Sequence, residues 1–223
     1  MIQMRIQQLE MRKIEYCFLF NGDIPSDFAL DASKYYHYPT LSVDKHNDKN
    51  KTTPWATKAF QESLQKLYHD RNLYSYDYVL RLNVSTYVNF DKFYWMLTNL
   101  PKKGLFAGPL FIVDGKIFAN GTAMLFSNDV ARVFAFDTQL DEKLCATTND
   151  DVVISWSLSD RYYIQDINFY YEWFEEFKEV PTNLHDVFYR IKQETVFYRI
   201  KNDGEKRDEI DTTLWYIFFN IIK

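Results

Sequence analysis

Short apolar runs alternate with stretches of helical periodicity along this chain. Residues 14–20 (IEYCFLF) form a run rich in strand-forming residues that ends at a turn signal, Asn21-Gly22-Asp23. Residues 76–82 (YDYVLRL) form a second such run, so both are predicted as strands. Between them Pro54 opens a predicted helix in which apolar residues recur at helical spacing. Further helices are predicted at residues 3–13, 91–100 and 128–136 and directly after Asp150-Asp151.

The second half of the chain adds more strands. Residues 105–113 and 116–126 are predicted as two strands joined at Asp114-Gly115, a dipeptide typical of tight hairpin turns. Strands are also predicted near 162–167 and at 187–200, followed by a helix at 208–222. Strands that alternate with helices indicate an α/β sandwich, with some antiparallel strands toward the end. No low-complexity linker interrupts this pattern, so residues 1–223 are predicted to form one domain.

The composition limits the classes of function. Hydrophobic residues make up 47% of the chain and charged residues 26%, which is enough to fill a core and keep a solvated surface. The net charge of −5 argues against a general nucleic-acid binder, because such a protein needs a basic face to neutralise phosphates. The two cysteines, Cys17 and Cys145, cannot build a disulfide framework. Neither end of the chain carries an apolar stretch long enough to span a membrane, so we expect a cytoplasmic protein.

A cluster of polar residues follows the predicted strand at 76–82. Asn83, Ser85 and Thr86 stand at its carboxyl end, directly before a helix. Ligands of open α/β sheets bind at the carboxyl ends of strands, which makes this cluster a candidate site. Arg81 lies beside it and is a candidate ligand-binding cation, although it could also pair with Asp77. The same pattern is compatible with an ordinary loop.

Four blocks of the chain, taken in order, resemble the β-1,3-galactosyltransferase and Fringe-like glycosyltransferases. Residues 76–89 (YDYVLRLNVSTYVN) are similar to the strand and metal motif of that family, where a run such as YDYVLKTDDDVFVN is typical. The resemblance covers residues 14–160 and implies a GT-A-like α/β/α sandwich with a mixed, mostly parallel central sheet. The other three blocks resemble the lysine-bearing helix, the glycine-containing strand with its helix start, and the acidic helix start of the family: residues 53–60 (TPWATKAF), 118–134 (FANGTAMLFSNDVARVF) and 149–158 (NDDVVISWSL).

One departure from the family changes the expected cofactor. Where the family has three consecutive aspartates, this chain has Asn83-Val84-Ser85. Hard divalent cations prefer carboxylate oxygens, whereas an amide and a hydroxyl offer only neutral ligands. Mn²⁺ or Mg²⁺ is therefore possible but not expected, and no residue is assigned as a metal ligand. The chain is similar in this respect to glycosyltransferases of large viruses and of bacterial surface-polysaccharide pathways, which carry an Arg-x-Asn-x-Ser form.

The resemblance implies transfer of a sugar from a nucleotide-sugar donor to the hydroxyl of a glycan acceptor, with inversion. Such a reaction needs a carboxylate that removes the proton of the acceptor hydroxyl as the new bond forms. Asp151 aligns with the catalytic aspartate of the family, and Asp150 beside it is the second candidate for this base. Two acidic residues at a helix start can instead cap the helix or interact with its dipole.

Donor binding is assigned to several polar and basic residues. A leaving diphosphate gains negative charge, which arginine and lysine can stabilise in place of a metal. The segment 188–207 is basic in an otherwise acidic chain, and Arg199 and Lys201 leave the same face if it is a strand, although such a face can also be merely solvated. Gly121, within a predicted strand, marks either a close approach to a ligand or a bulge. The complete predicted donor site is Asn83, Ser85, Arg81, Lys58, Gly121, Thr122, Arg199 and Lys201.

Two other functions remain open at this point. A non-catalytic carbohydrate- or nucleotide-binding module of the same fold would keep an aromatic cleft after losing the acidic motif. Aromatic residues make up 18% of the chain, which suits a site that stacks flat ligands but also follows from an AT-rich genome. An unrelated α/β enzyme such as a nucleotidyltransferase would need a carboxylate pair at a strand end. Asp150-Asp151 at a helix start supplies this poorly.

Overall fold

The computed structural model describes residues 14–21, 35–38, 55–83, 85–173, 194–201 and 212. The helix predicted at 3–13 lies outside the described residues. So do the helix predicted at 208–222, apart from residue 212, and the first part of the strand predicted at 187–200. Within the described ranges the chain forms eleven strands and five α-helices.

A four-stranded sheet carries the centre of the described structure. Its strands are β3 (Tyr78–Leu82), β8 (Ala123–Ser127), β5 (Phe106–Gly108) and β9 (Ile164–Asp166), in that spatial order. β8 runs antiparallel to both β3 and β5, whereas β5 and β9 are parallel. The prediction of a mixed α/β fold is confirmed. The described sheet is not mostly parallel, however, and β3 is an edge strand of it.

Both strands predicted around Asp114-Gly115 are divided in two. The first becomes β5 and β6 (Leu110–Val113), and the second becomes β7 (Lys116–Ala119) and β8. β6 and β7 form the predicted hairpin, in which Asp114 and Gly115 have φ of 49° and 72°, as a tight primed turn requires. The prediction of two continuous strands was wrong: the first is interrupted at Pro109, which cannot donate to a strand ladder, and the second at residues 120–122. At the neighbouring Gly108 a Cβ would lie 2.7 Å from the Cβ of Ala119 and 2.8 Å from the carbonyl oxygen of Ala123.

The helices begin close to their predicted positions. α1 (Trp55–Asp70) follows Pro54, and α2 (Phe90–Thr98) is capped by Asn89, whose side chain accepts a hydrogen bond from Lys92 N at 3.1 Å. α3 (Asn128–Arg132) continues into a π-helical turn (Val133–Asp137). α5 (Asp150–Leu158) begins at the two aspartates. No helix or strand was predicted for the segment between these last two, but it contains α4 (Glu142–Thr147), which Asp141 caps.

Two smaller sheets flank these elements. β10 (Phe169–Trp173) pairs in parallel with β11 (Phe197–Lys201), which in turn pairs antiparallel with β4 (Tyr87–Val88). β1 (Phe18–Asn21) pairs in parallel with β2 (Tyr35–Tyr38), so the strand predicted at 14–20 is shorter and includes Asn21. β2, β4 and β10 were not predicted. Among the described residues, no helix is long and apolar enough to cross a membrane.

Alternate residues of β8 enter two different cores. Met124 and Phe126 join residues of α1, α3 and α5 in one cluster, in which the rings of Phe106 and Phe126 stack with centroids 4.9 Å apart. Ala123 and Leu125 join residues of α2 and β11 in the other. The four-stranded sheet is therefore covered on both faces. Because both faces are covered, a polar site can form at the ends of the strands and not on the faces of the sheet.

Candidate functional site

The carboxyl end of β3 opens into a tight polar turn. The backbone N–H of Thr86 donates to Asn83 O at 3.0 Å, and the Thr86 hydroxyl donates to Thr122 O at 2.7 Å. The first bond closes the turn, and the second ties it to the chain segment between β7 and β8. The Ser85 hydroxyl oxygen is buried, and the described part of the chain contains no hydrogen-bond partner for it. A buried hydroxyl in that state has its hydrogen-bonding capacity left for a ligand or for water.

Arg81 projects from β3 into a largely buried position. Its side chain is 16% exposed, and Nη2 donates to Oδ2 of Asp150 at the start of α5. Nη1 lies 3.8 Å from the sulfur of Met124, and the guanidinium stands 5.7 Å from the centroid of the Phe60 ring. The suggested pairing of Arg81 with Asp77 was wrong. Asp77 pairs with Lys102 at 2.7 Å instead.

Asp151 is fixed by two backbone donors. Its Oδ2 accepts the Gly121 N–H at 2.9 Å and its Oδ1 accepts the Val152 N–H at 2.9 Å. Burial raises the pKa of the carboxyl above its ordinary value, and the neighbouring charge of Asp150 raises this pKa further. The bond from Gly121 and the charge of Arg81 oppose that shift in part. The result is a well-oriented carboxylate that holds a proton more readily than an exposed aspartate does.

Gly121 is where the side chains of this cluster converge. A Cβ placed on it would lie 3.2 Å from Asn83 Nδ2, 3.3 Å from Arg81 Nη1 and 3.4 Å from Asp151 Oδ2. The φ of Gly121 is not in the left-handed region, so backbone conformation does not require a glycine here. The close approach that the sequence suggested is therefore made by three polar side chains of the protein. Asn83, Arg81 and Asp151, with Asp150 behind Arg81, form what we call the Gly121 cluster.

Thr122 lies next to this cluster but is fully buried. Its N–H and its hydroxyl both donate to Asn120 Oδ1, at 2.9 Å and 2.6 Å. The Thr122 side chain therefore holds the turn between β7 and β8. Its role in donor binding stays a prediction.

Lys58 does not join the Gly121 cluster. It is exposed on α1, and its charge acts on the Cys145 thiol of α4, whose pKa is raised chiefly by burial. Phe60, two residues further along α1, is the residue of this helix that contacts Arg81. The donor-binding role of Lys58 stays a prediction.

Arg199 lies on β11, whose partner β4 directly follows the Asn83–Thr86 turn. In the register of β11 and β4, Tyr198 stands opposite Tyr87, the first residue of β4, so the antiparallel direction leads from Tyr198 to Arg199 on one strand and from Tyr87 to Thr86 on the other. Arg199 is only 7% exposed, so a merely solvated strand face is the wrong interpretation for this residue. Lys201 is the last residue of β11, two positions further on, where its backbone pairs with that of Trp173.

Two contributors to the site were missed by the sequence reasoning. Phe60 provides the ring next to Arg81, and Ser155 bonds to the backbone of Asp151. A signal for Ser155 was present, since it stands four residues after Asp151 on a predicted helix and therefore on the same face. No sequence signal identified Phe60, because its contact with β3 depends on how α1 packs.

The chemistry that this arrangement offers is proton transfer next to a cation. Among the residues that the structure describes, no group of three or more His, Cys, Asp or Glu side chains is placed to hold a metal ion. A scan against models of known protein families gives no match for this chain, and a search of curated proteins also gives none.

Proposed function

We propose that this protein is an inverting glycosyltransferase that transfers a sugar from a nucleotide-sugar donor to a glycan hydroxyl, with Asp151 as the general base. The observation that supports this most is the position of the Asp151 carboxylate. It is buried, oriented by two N–H donors, and placed beside Arg81 and Asn83 at the carboxyl end of β3.

The proposed step balances as a single displacement at the anomeric carbon of the donor. The acceptor hydroxyl oxygen forms a bond to that carbon while Asp151 takes the hydroxyl proton. The bond from the anomeric carbon to the phosphate oxygen breaks, and the nucleoside diphosphate leaves with the electron pair. The raised pKa of Asp151 suits this role, because a general base works best when its pKa approaches the working pH.

Arg81 and Arg199 are the proposed partners of the leaving diphosphate. Arg81 stands in the Gly121 cluster, and Arg199 lies on β11, next to the residue that pairs with the first residue of β4 after the turn. A guanidinium supports two parallel hydrogen bonds to phosphate oxygens, which makes arginine the better residue for this purpose than lysine. Asn83 and Ser85 supply an amide and a hydroxyl, a donor set that does not fit a resident Mn²⁺ or Mg²⁺ ion.

The central experiment measures free nucleotide released from a panel of nucleotide sugars, with and without glycan acceptors. Asp151→Asn is expected to lower turnover by about 10²–10⁴-fold, the usual effect of removing a positioned general base. Asp141→Asn is the matched control, because Asp141 also lies at a helix start, where it caps α4 by accepting the Leu144 N–H. Release of no nucleotide from any donor by the folded wild-type chain would contradict the proposal.

A second experiment tests how the diphosphate is held. Transfer is expected to persist in excess EDTA, and Arg199→Lys is expected to weaken donor binding and turnover together, because the guanidinium would hold the diphosphate in both the ground and transition states. Lysine keeps the charge at this buried position, so folding is less at risk than with alanine. Activity that disappears with EDTA and returns with Mn²⁺ would show that a metal ion carries the diphosphate.

The alternative of a non-catalytic binding module has one observation in its favour. Arg81 is already paired with Asp150, so a ligand must compete for its guanidinium. Such a module would bind nucleotide or saccharide at equilibrium without releasing free nucleotide. Calorimetric titration beside the release assay therefore separates the two functions.

A further inference from the structure

Ser155 connects two elements that meet at the Gly121 cluster. It is fully buried on α5, one helical turn after Asp151. Its hydroxyl donates to Asp151 O at 2.8 Å and accepts the N–H of Ala119 at 3.0 Å. Ala119 is itself fully buried at the end of β7. One hydroxyl therefore joins the first turn of α5 to the end of β7.

A second contact lies directly beside this one. Two residues after Ala119, the Gly121 N–H donates to the Asp151 carboxylate at 2.9 Å. The Asp151 residue is consequently held at its carbonyl through Ser155 and at its carboxylate through Gly121, both from the same segment of chain. Another contact joins β7 to α5: Lys116 Nζ at the start of β7 stands 4.9 Å from the centroid of the Trp156 ring on α5. The distance from β7 to α5 thus decides whether the Gly121 N–H reaches Asp151.

We propose that Ser155 is a positioning residue for Asp151: its hydroxyl holds α5 against the end of β7 and so keeps the Asp151 carboxylate on the Gly121 N–H. The catalytic consequence of this role rests on the proposed glycosyl transfer. The positioning itself rests only on the contacts of Ser155, Ala119 and Gly121.

Removing the Ser155 hydroxyl has a consequence with a defined sign. Ala119 keeps a buried N–H that loses its acceptor, so β7 and α5 separate to admit water or another partner. The Gly121 N–H then moves away from Asp151. This N–H stabilises the ionised carboxylate, so its loss raises the pKa of Asp151. The other charged groups that act on Asp151, namely Asp150 on α5 and Arg81 on β3, are unchanged by the substitution.

The test compares two serines of the same helix in the full-length protein. Ser155→Ala removes the bridging hydroxyl. Ser157→Ala is the matched control, because the Ser157 hydroxyl donates to Ile154 O at 2.8 Å within α5. Carbon-13 NMR titration of the Asp151 carboxyl, assigned with Asp151→Asn, gives its pKa, and hydrogen exchange of the Gly121 amide reports on the bond itself.

Ser155→Ala is expected to raise the Asp151 pKa and to speed exchange of the Gly121 amide, while Ser157→Ala leaves both at wild-type values. Ser155→Thr retains the hydroxyl and is expected to restore them. Turnover in Ser155→Ala is expected to fall by about 10–100-fold with little change in KM, as for a misplaced catalytic group. Should Ser155→Ala fail to fold, Ser155→Cys, a weak donor and acceptor of similar volume, replaces it with the same expectations.

A folded Ser155→Ala variant with the wild-type Asp151 pKa and Gly121 exchange rate would overturn the positioning role. The NMR readouts need no sugar donor, which separates this result from the fate of the proposed function. A chain that releases no nucleotide but shows both shifts would refute glycosyl transfer and support the role of Ser155.

Discussion

Alanine substitution is expected to reduce stability more at Gly108 than at Gly121, and to reduce activity more at Gly121 than at Gly108. Both glycines are buried, and neither has a φ in the left-handed region, so in each case the effect depends on what the added methyl group meets. At Gly108 the methyl group would meet the Cβ of Ala119 at 2.7 Å and the carbonyl oxygen of Ala123 at 2.8 Å. These atoms belong to the chain backbone or lie next to it, and they cannot move without displacing strands.

At Gly121 the same methyl group meets only side-chain atoms, at 3.2 to 3.4 Å. These atoms are the ends of Asn83, Arg81 and Asp151, which can each yield by a few tenths of an ångström. Overpacking a core typically costs about 1–3 kcal/mol. Replacing glycine by alanine gives back about 0.4–1 kcal/mol, because the unfolded chain loses conformational freedom. Gly108→Ala is therefore expected to destabilise by about 1–3 kcal/mol, whereas Gly121→Ala changes stability by less than about 1 kcal/mol.

Activity is expected to rank the two variants in the reverse order. The atoms that yield at Gly121 are those of the proposed base and of the proposed diphosphate ligand. A misplacement of this kind costs up to about 10²-fold in rate. Urea unfolding followed by tryptophan fluorescence measures the first effect, and nucleotide release measures the second. If Gly121→Ala loses as much stability as Gly108→Ala, the side chains around Gly121 do not yield to the added methyl group. If it keeps full turnover, the Gly121 cluster is not the proposed active site.

Three further expectations follow from the same contacts. Because the folded-state pKa of Asp151 is raised, its contribution to stability is present below its unfolded pKa of about 3.9 and is lost as pH rises through the folded pKa. The urea midpoint of the wild-type chain should therefore fall over this pH range, whereas that of Asp151→Asn should not. Wild-type and Asp151→Asn profiles of midpoint against pH that coincide would refute this expectation. Arg81→Met should raise the Asp151 pKa in an NMR titration, since the Arg81 charge lowers it; an unchanged or lower value would show that this charge does not act there. Asn89→Ala should cost about 1 kcal/mol in urea unfolding by removing the cap of α2, whereas a cost near zero would mean that the cap is dispensable.

The elements that the sequence predicted well are those with local signals. The turn at Asp114-Gly115 needs two residues that tolerate positive φ, and both have it. β3 ends at Leu82, directly before the polar residues Asn83 and Ser85, because the apolar run ends there. α5 begins at Asp150, where acidic residues interact favourably with the helix dipole. In each case the determining residues lie within a few positions of one another.

The pairing of strands lacked such signals. The break after Gly108 had one, because Pro109 cannot donate to a strand ladder, but the predicted strand at 105–113 passed over this Gly-Pro pair. The period-2 pattern of a strand is the same in parallel and antiparallel pairs, so it could not show whether the sheet is mainly parallel or mixed. Arg81 and Asp77 share the parity of one strand, which made their pairing reasonable. β3 begins only at Tyr78, however, and Asp77 turns to Lys102.

Arg199 shows how much of the site depends on register. Its strand contains Tyr198 and Arg199 side by side, and these two residues point to opposite faces. A slip of one residue between β11 and β4 would exchange their faces and place the Tyr198 ring where the guanidinium lies. Tyr198 is 1% exposed and its hydroxyl donates to Thr195 O at 2.7 Å, while Phe197, which shares the face of Arg199, is fully buried, so both faces of β11 are packed. The positions of Tyr198 and Phe197 together determine the face of Arg199, through contacts that no spacing of charged residues in the sequence reveals.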